Sequence, residues 1–538
     1  MARPSARFLL LAILIASCSF AQPVITPTRV MNSASFLVQG LPGSGIAQGS
    51  IFTIQGAGLG PATILTAGPL PLTTTLGGDA GTSVTVTVGG ETVQAFILAA
   101  VSYQVNALLP SKTPLGNGTV TVTYNHQASA PEPVQIVSAS FGTYAFNSGG
   151  FGQAIATDLT YKVNTIIRAF HTGDWVVLWG TGLGAINGDD SQAPPVGTLG
   201  SPTVHIGNTS LTPYYAGRSS SYPGLDQVAF QVPAGIQGCY VPVAVETNGL
   251  VSGSTTIAVA ASDQTQTCAD SILGQDLIDK LVSGGTVDFG FVQLFAIVLQ
   301  SGQLPTGTAV PDFVQATFSE FTPQTAGLAA YGVSEGYCIS GLNSPDMSPG
   351  GLGAGAAISV QGPSAATIPP LFSGYYYELF NSGPQFMWSG LGYTVSAPAG
   401  TRVGAFTVDD RTSIPKAYFK GIVAGQTLPI AGDLTVAWTG GDPTLQNGQV
   451  TIAGISVNGN LDGAFLCTAP LAALSFTIPK WVMTTLPPTA TGYVGIAPYP
   501  LGYIWIGQSN NPVTFSATGL DKGILIDEFF NGYPVYFK

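Results

Sequence analysis

From residue 24 to the C-terminus, apolar and polar residues alternate with a period of two, in short runs closed by Gly, Pro, Asn and Asp. Runs such as "VTVTV" at 84–88, "TVTVTY" at 119–124, "LTVAWTG" at 434–440 and "YIWIG" at 503–507 place every second side chain on one face. That period predicts half-buried strands, and the turn residues between them predict antiparallel connections. Helical spacing occurs once, in "DSILGQDLIDKLVSGG". There Leu273, Leu277 and Leu281 with Ile278 and Val282 form an apolar stripe, Asp270 or Ser271 can cap the start, and Gly284 can end it. The following "TVDFGFVQLFAIVLQ" is largely apolar, and its β-rich composition predicts a buried strand.

The pattern also repeats. "GSIFTIQGAGLG" from Gly49 to Gly60 matches "GDWVVLWGTGLG" from Gly173 to Gly184, at an offset of 124 residues. "QVNALLP" from Gln104 to Pro110 matches "QVAFQVP" from Gln227 to Pro233, at an offset of 123. Two landmarks with nearly one spacing mean an internal duplication. Each unit, strands separated by turns, has the grammar of an immunoglobulin-like β-sandwich. The chain therefore divides into sandwiches at 24–138 and 139–262, a linker helix within 263–285, and a larger β-rich domain at 286–538 that could be two subdomains. The expected fold class is all-β.

The repeat bears on one motif. The strand "WVVLW" followed by Gly180, Gly182 and Ala185 nearly copies the dinucleotide fingerprint, whose glycines open a helix beneath a pyrophosphate. Neither copy is followed by a helical period: the first runs into Pro61, the second into "INGDDSQAPP". Gly180, Gly182 and Gly184 are therefore expected to shape a strand exit through positive φ, with no cofactor.

"NSASF" at 32–36, "PLPLTTTLGG", "YQVNALLP" and "GLDQVAFQVPAGIQGCYVPVAV", with the two glycine strands, resemble the uncharacterised Solibacter-type repeat of secreted acidobacterial proteins, related to TIG/IPT modules. The resemblance covers residues 24–262 and implies tandem sandwiches outside the cytoplasm, with no established activity. "VGAFTV", "LTVAWTGGDP", "FTIPKWVMTTLP" and "FSATGLDKG" are similar to a companion region of such proteins.

Composition adds location. Arg3 and Arg7, the apolar run Phe8 to Ala16 and Ser19-Phe20-Ala21 make a secretory signal over 1–21, cut after Ala21. "IASC" is also a lipobox, so lipidation at Cys18 is the competing outcome. The formal net charge of −12, with only 8% charged residues, argues against nucleic acid and anionic lipid as partners. The remaining cysteines, Cys239, Cys268, Cys338 and Cys467, are an even number in an exported chain. Three pairings are open, and the domain division favours Cys239 with Cys268 and Cys338 with Cys467.

Catalytic and metal chemistry finds little support. The only histidines, His126, His171 and His205, lie apart from one another, and no G-x-S-x-G elbow occurs. "NGNLDG" at 458–463 opens like a calcium loop but has Ala469 where a bidentate Glu is needed, so a turn is expected. Asp409-Asp410 and Asp527-Glu528 are neighbours on strands, point to opposite faces, and are expected to be solvated. Rings concentrate at Tyr214, Tyr215 and Tyr222, in "GYYYELF" at 374–380, and at Tyr503 and Trp505, which share a strand face and could form a stacking platform for sugars. No cofactor, metal or catalytic residue is assigned. The expected function is an exported, non-enzymatic surface or extracellular binding protein whose partner is a glycan or a surface protein. The alternatives are a polysaccharide hydrolase acting through the C-terminal domain and a structural envelope component.

Overall fold

The computed structural model describes residues 22–261, 265–299, 312–325, 332–341, 351–362, 365–372, 374–380, 392–411, 413–494 and 497–538. The signal segment with Cys18 and Ala21 lies outside the described residues. The chain is all-β, and its described α-helices are the short Gln275–Val282 and Lys480–Met483. The second is a single turn inside "FTIPKWVMTTLP" that the period did not predict. Gln275–Val282 is capped differently from expectation, with Gly274 at its N-cap. Asp270 instead accepts the backbone N–H groups of Ile272 and Leu273 in the turn before the helix, at 2.7 and 3.1 Å.

Two immunoglobulin-like sandwiches come first. In one sheet of the first, Ile51–Ala57 lies between Val24–Asn32 and Gln104–Leu108; the facing sheet is centred on Gly116–Tyr124. Phe52, Ile54, Val84, Val86, Val105, Val120 and Val122 fill the space between them. In the second, Trp175–Thr181 pairs with Asp226–Gln231, and Val176, Leu178, Val204, Ile206, Val228 and Phe230 are the equivalent core. The duplication reaches the hydrogen-bond register, since Ile51 opposes Leu108 as Trp175 opposes Gln231.

The glycine motif binds an anion after all, and that anion is the protein's own. Gly182 and Gly184 have φ of 112° and 124°. The turn they make aims the N–H groups of Gly182 and Leu183 at Asp226 Oδ2, both at 2.8 Å. Gly180 does not supply positive φ; it is glycine because a Cβ there would lie 2.2 Å from the Gly142 carbonyl oxygen and 2.3 Å from the Phe141 ring. Arg218 Nε donates to Asp226 Oδ1 at 2.6 Å, and its terminal nitrogens donate to the carbonyls of Gly49 and Gly184 at 2.6 and 2.7 Å. Gly49 belongs to the first sandwich, so one buried guanidinium joins both copies. Nearby, Asn32 Nδ2 donates to the carbonyls of Ser140 and Thr181 at 3.0 and 3.1 Å, and Ile51 N–H donates to Thr181 Oγ1 at 2.9 Å. By strand register the first copy has Ser102 and Tyr103 at the positions matching Arg218 and Asp226, so it cannot build the same lock.

The C-terminal region is organised by one large sheet. Its strands run in the order Cys338–Ser340, Leu461–Pro470, Gln449–Asn458, Gly502–Ser509, Lys522–Phe537, Val287–Leu299, Asp312–Phe321, Tyr375–Phe380, Pro370–Phe372. Lys522–Phe537 lies at the centre, parallel to Val287–Leu299 and antiparallel to Gly502–Ser509. One face is covered by two cores, one around Trp438, Ile452, Ile504, Ile506 and Phe537, the other around Leu294, Val314, Phe318, Tyr376 and Leu525. The opposite face is covered at one end, where the Gln275–Val282 helix packs Leu277, Ile278 and Leu281 against Phe289, Ile524 and Ile526.

Candidate binding groove

The rest of that second face is the floor of a cavity of about 1850 Å³. The period of two places its residues. Along Val287–Leu299, Val292, Leu294 and Ala296 enter the core, which turns Phe291, Gln293 and Phe295 to the cavity. Along Asp312–Phe321, Val314, Ala316 and Phe318 enter the core, and Phe313, Gln315 and Thr317 face the cavity. Register aligns them in rungs across the sheet. Ser509, Glu528, Phe295 and Phe313 form one rung; Ile526, Gln293, Gln315 and Tyr377 form the next. Phe295 stacks on Phe313 with centroids 4.3 Å apart, Phe530 lies 4.8 Å from Phe295, and Tyr377 lies 5.8 Å from Phe313. The floor is thus a row of rings beside a row of amides, with one carboxylate held by the Gln293 amide, which donates to Glu528.

Tyr503 and Trp505 lie on this same face. Ile504 and Ile506 between them are fully buried in the core, as the alternation required, and register places Trp505 opposite Gly532 and Ser509 opposite Glu528. Both rings are half-buried and neither lines the cavity, so the register places them on this face beyond the cavity's edge, without standing clear in solvent. Sequence reasoning missed Phe295, Phe313, Gln293 and Gln315, and took Glu528 for a solvated acid. The available signal was the repeated "FVQ" at 291–293 and 313–315, which sets a glutamine among apolar residues at one strand position in both hairpin arms.

Of the paired acids, Asp409 is exposed as expected, Glu528 is partly exposed on the cavity floor, and Asp410 and Asp527 are not solvated. Asp410 and Asp527 are buried on the core face, bridged by Asn510, whose Nδ2 donates to Asp410 Oδ2 at 2.5 Å and whose Oδ1 accepts Asp527 N–H at 3.0 Å. Burial, reinforced by the negative charges of Asp410 and Glu528, pushes the Asp527 carboxyl up to about 8. Burial pushes Glu528 up to about 7, partly offset by the Gln293 hydrogen bond. Both sit above their ordinary carboxylate values, so the stability they contribute is fully present below the ordinary range and is lost as pH rises through 7 to 8. The melting temperature is therefore expected to fall between pH 5 and pH 9, and Asp527→Asn to flatten that slope; a wild-type curve already flat over this interval would refute the assignment.

The singled-out cysteines and two of the histidines make structural contacts. Cys239 is bonded to Cys268 and Cys338 to Cys467. His205 stacks on Trp481 with centroids 5.4 Å apart and bonds Glu246 and Ser210 at 3.0 and 2.8 Å; burial lowers its pKa, keeping the imidazole neutral in the contact between the second sandwich and the C-terminal domain. His171 bonds Asp174 at 3.1 Å within its own turn. "NGNLDG" is the tight hairpin joining Gln449–Asn458 to Leu461–Pro470, with Gly459 at φ 63°. Among the described residues no cluster of His, Cys, Asp or Glu could hold a metal ion, and no described helix is long and apolar enough to cross a membrane.

No family model matches the chain, and no curated protein does. Among solved structures it is similar to domains 5–6 of the S-layer protein SbsC, with 15% identity over 44% of this chain and 98% of that one and a TM-score of 0.16. It is also similar to the S-layer protein rSbsC(31-844), with 12% identity over 95% and 54% and a TM-score of 0.19. A third is Sidekick-1 immunoglobulin domains 1–5, with 9% identity over 89% and 96% and a TM-score of 0.12. At these scores the likeness carries no functional argument.

Proposed function

We propose that the protein is an exported, non-enzymatic binding protein of the cell surface or extracellular space, and that its C-terminal domain takes a glycan in the groove over the large sheet. The observation that carries this reading is the floor itself. Phe295, Phe313 and Tyr377 offer ring faces to the apolar faces of sugars, and Gln293, Gln315 and Glu528 beside them offer donors and acceptors to hydroxyls. Concave, largely aromatic sites with a few convergent polar groups are where ligands bind. Tyr503 and Trp505 extend the same surface. The two disulfides and the signal-like N-terminus support export, by cleavage after Ala21 or as a lipoprotein at Cys18. The proposed division at 24–138, 139–262, 263–285 and 286–538, and kinship with the Solibacter-type repeat, belong to this reading and rest on the sequence motifs.

A hydrolase would need two carboxylates flanking one bond. Asp527 and Glu528 lie on opposite faces of the sheet, and the cavity's other acids are engaged on separate walls: Asp270 by the Tyr240 hydroxyl, Glu320 by Arg402 and Glu335 by Gln449. The geometry therefore favours binding.

A glycan array probed with the full mature chain tests the proposal. Binding to a defined set of glycans is expected, reduced by about tenfold or more in Phe313→Ala, as for loss of a central aromatic contact, and reduced less in Tyr503→Ala with Trp505→Ala. Absence of specific binding, or binding equal in Phe313→Ala, would sink the reading.

A further inference from the structure

The second sandwich carries a ring surface of its own, independent of the groove. On the sheet face turned away from its core, Trp175, Val177 and Trp179 of one strand stand beside Gln231, Ala229 and Gln227 of the next, and Tyr215 stands beside Ala229. Each tryptophan meets a tyrosine from a neighbouring segment. Tyr214, 82% exposed, meets Trp175 edge-on with centroids 5.1 Å apart. Tyr161, 71% exposed, lies 6.1 Å from Trp179 at a tilt of 34°.

Two features set this surface apart from its counterpart in the first sandwich. The first sandwich, with the same register, has Ile51, Thr53 and Gln55 at the matching positions, and covers Ile51 with its own Leu72, Leu98 and Leu108. The architecture therefore requires no ring there; in the second copy rings cover this face, over Val177 and Ala229, with Trp175 and Trp179 left partly exposed and Trp179 Nε1 donating to Thr157 Oγ1 at 3.0 Å. In addition, Tyr161 has φ of 64°, a region costly for a bulky side chain. Its loop is held there by Asp158 Oδ1, which accepts the N–H groups of Thr160 and Lys162 at 2.7 and 3.0 Å. Strain maintained to present a largely exposed ring points to a use for that ring.

The chemistry of the face names the ligand class. The outward positions of these three strands carry only aromatic, aliphatic and amide groups, in a chain of net charge −12. Such a strip neither attracts cations nor pairs with anions, and it matches the alternation of apolar faces and hydroxyls on a neutral sugar chain. Trp175 and Trp179, four residues apart on one strand, are separated by about 13 Å, enough to engage different sugar units of one extended polymer. We infer that this face of the second sandwich is a binding platform for a neutral polysaccharide, with Trp175, Trp179, Tyr161 and Tyr214 as stacking rings and Gln227 and Gln231 as hydroxyl partners. With the groove it would give one chain two attachment points, and avidity follows when both reach the same polymer.

Affinity electrophoresis of the full mature chain, through gels containing hydroxyethylcellulose, xylan or galactomannan, tests this, with carboxymethylcellulose as the anionic counterpart. Retardation is expected in at least one neutral gel and not in carboxymethylcellulose. In Tyr161→Ala with Tyr214→Ala, affinity for that polymer should fall about tenfold or more, with the melting temperature lowered by only a few degrees, since both rings are largely exposed and each gives up one aromatic contact. Migration unretarded in all three neutral gels, retardation equal in the anionic gel, or retardation unaltered in the double variant would each overturn the platform. Retardation lost in Phe313→Ala and kept in the tyrosine variant would place binding in the groove alone and likewise overturn it.

Discussion

Replacing Arg218 with alanine is expected to destabilise the tandem sandwiches by about 3–5 kcal/mol, the cost of leaving a buried charge without its partner. Arg218 and Asp226 are both essentially inaccessible, with side-chain exposures of 1% and 0%. Burial alone raises the Asp226 pKa, and the guanidinium with the N–H groups of Leu183 and Gly182 works against it. Without Arg218, Asp226 must either hold a proton or carry a charge away from water, and the carbonyls of Gly49 and Gly184 lose their donors. For units of this size, calorimetry of the full chain should show the transition lowered by on the order of 10 °C. Arg218→Met with Asp226→Leu should recover most of the loss, since a buried ion pair exchanged for apolar groups is often neutral. A transition shifted by less than about 1 °C in Arg218→Ala would refute the lock.

The second large effect concerns Cys338–Cys467. These residues are direct cross-strand partners that tie the edge strand Cys338–Ser340 to the large sheet, and their bond closes a loop with a sequence separation of 129. On the chain-entropy account, closure contributes about 5 kcal/mol, against about 3.5 kcal/mol for Cys239–Cys268 with its separation of 29. Cys338→Ala with Cys467→Ala should therefore destabilise the C-terminal domain more than Cys239→Ala with Cys268→Ala destabilises its surroundings. Both cysteines of the larger loop are buried in the core beside Ile452 and Phe465, so alanine also leaves small voids that act in the same direction. Guanidinium unfolding followed by the C-terminal tryptophans would compare the two, and equal midpoints would contradict the ranking.

Much of the architecture was written in local alternation. Wherever one face of a strand is buried, a period of two specifies it, and two copies with one register share their landmarks, so the all-β class and the duplicated sandwich were legible before any coordinates. The strand "TVDFGFVQLFAIVLQ" shows where that signal ends. Both faces of it are apolar, because one meets a core and the other paves a groove, and hydrophobicity does not distinguish a ring bound for the interior from one awaiting a ligand.

The acids mark the same boundary from the polar side. That Asp527 and Glu528 face opposite ways followed from the strand alone. That Asp527 would meet Asp410 in the core, bridged by Asn510, depended on which strands lie next to each other, a matter settled by contacts a hundred or more residues apart in the chain. The glycine motif is the sharpest case. The sequence by itself determined that Gly180 to Gly184 form a strand exit with no helix behind it, because turn residues and periodicity act over a few positions. Only the tertiary structure decided that the N–H groups exposed by that turn would hold Asp226, and that Arg218 would carry the lock across to Gly49, because a buried charge is satisfied by whichever groups the packed fold brings within reach.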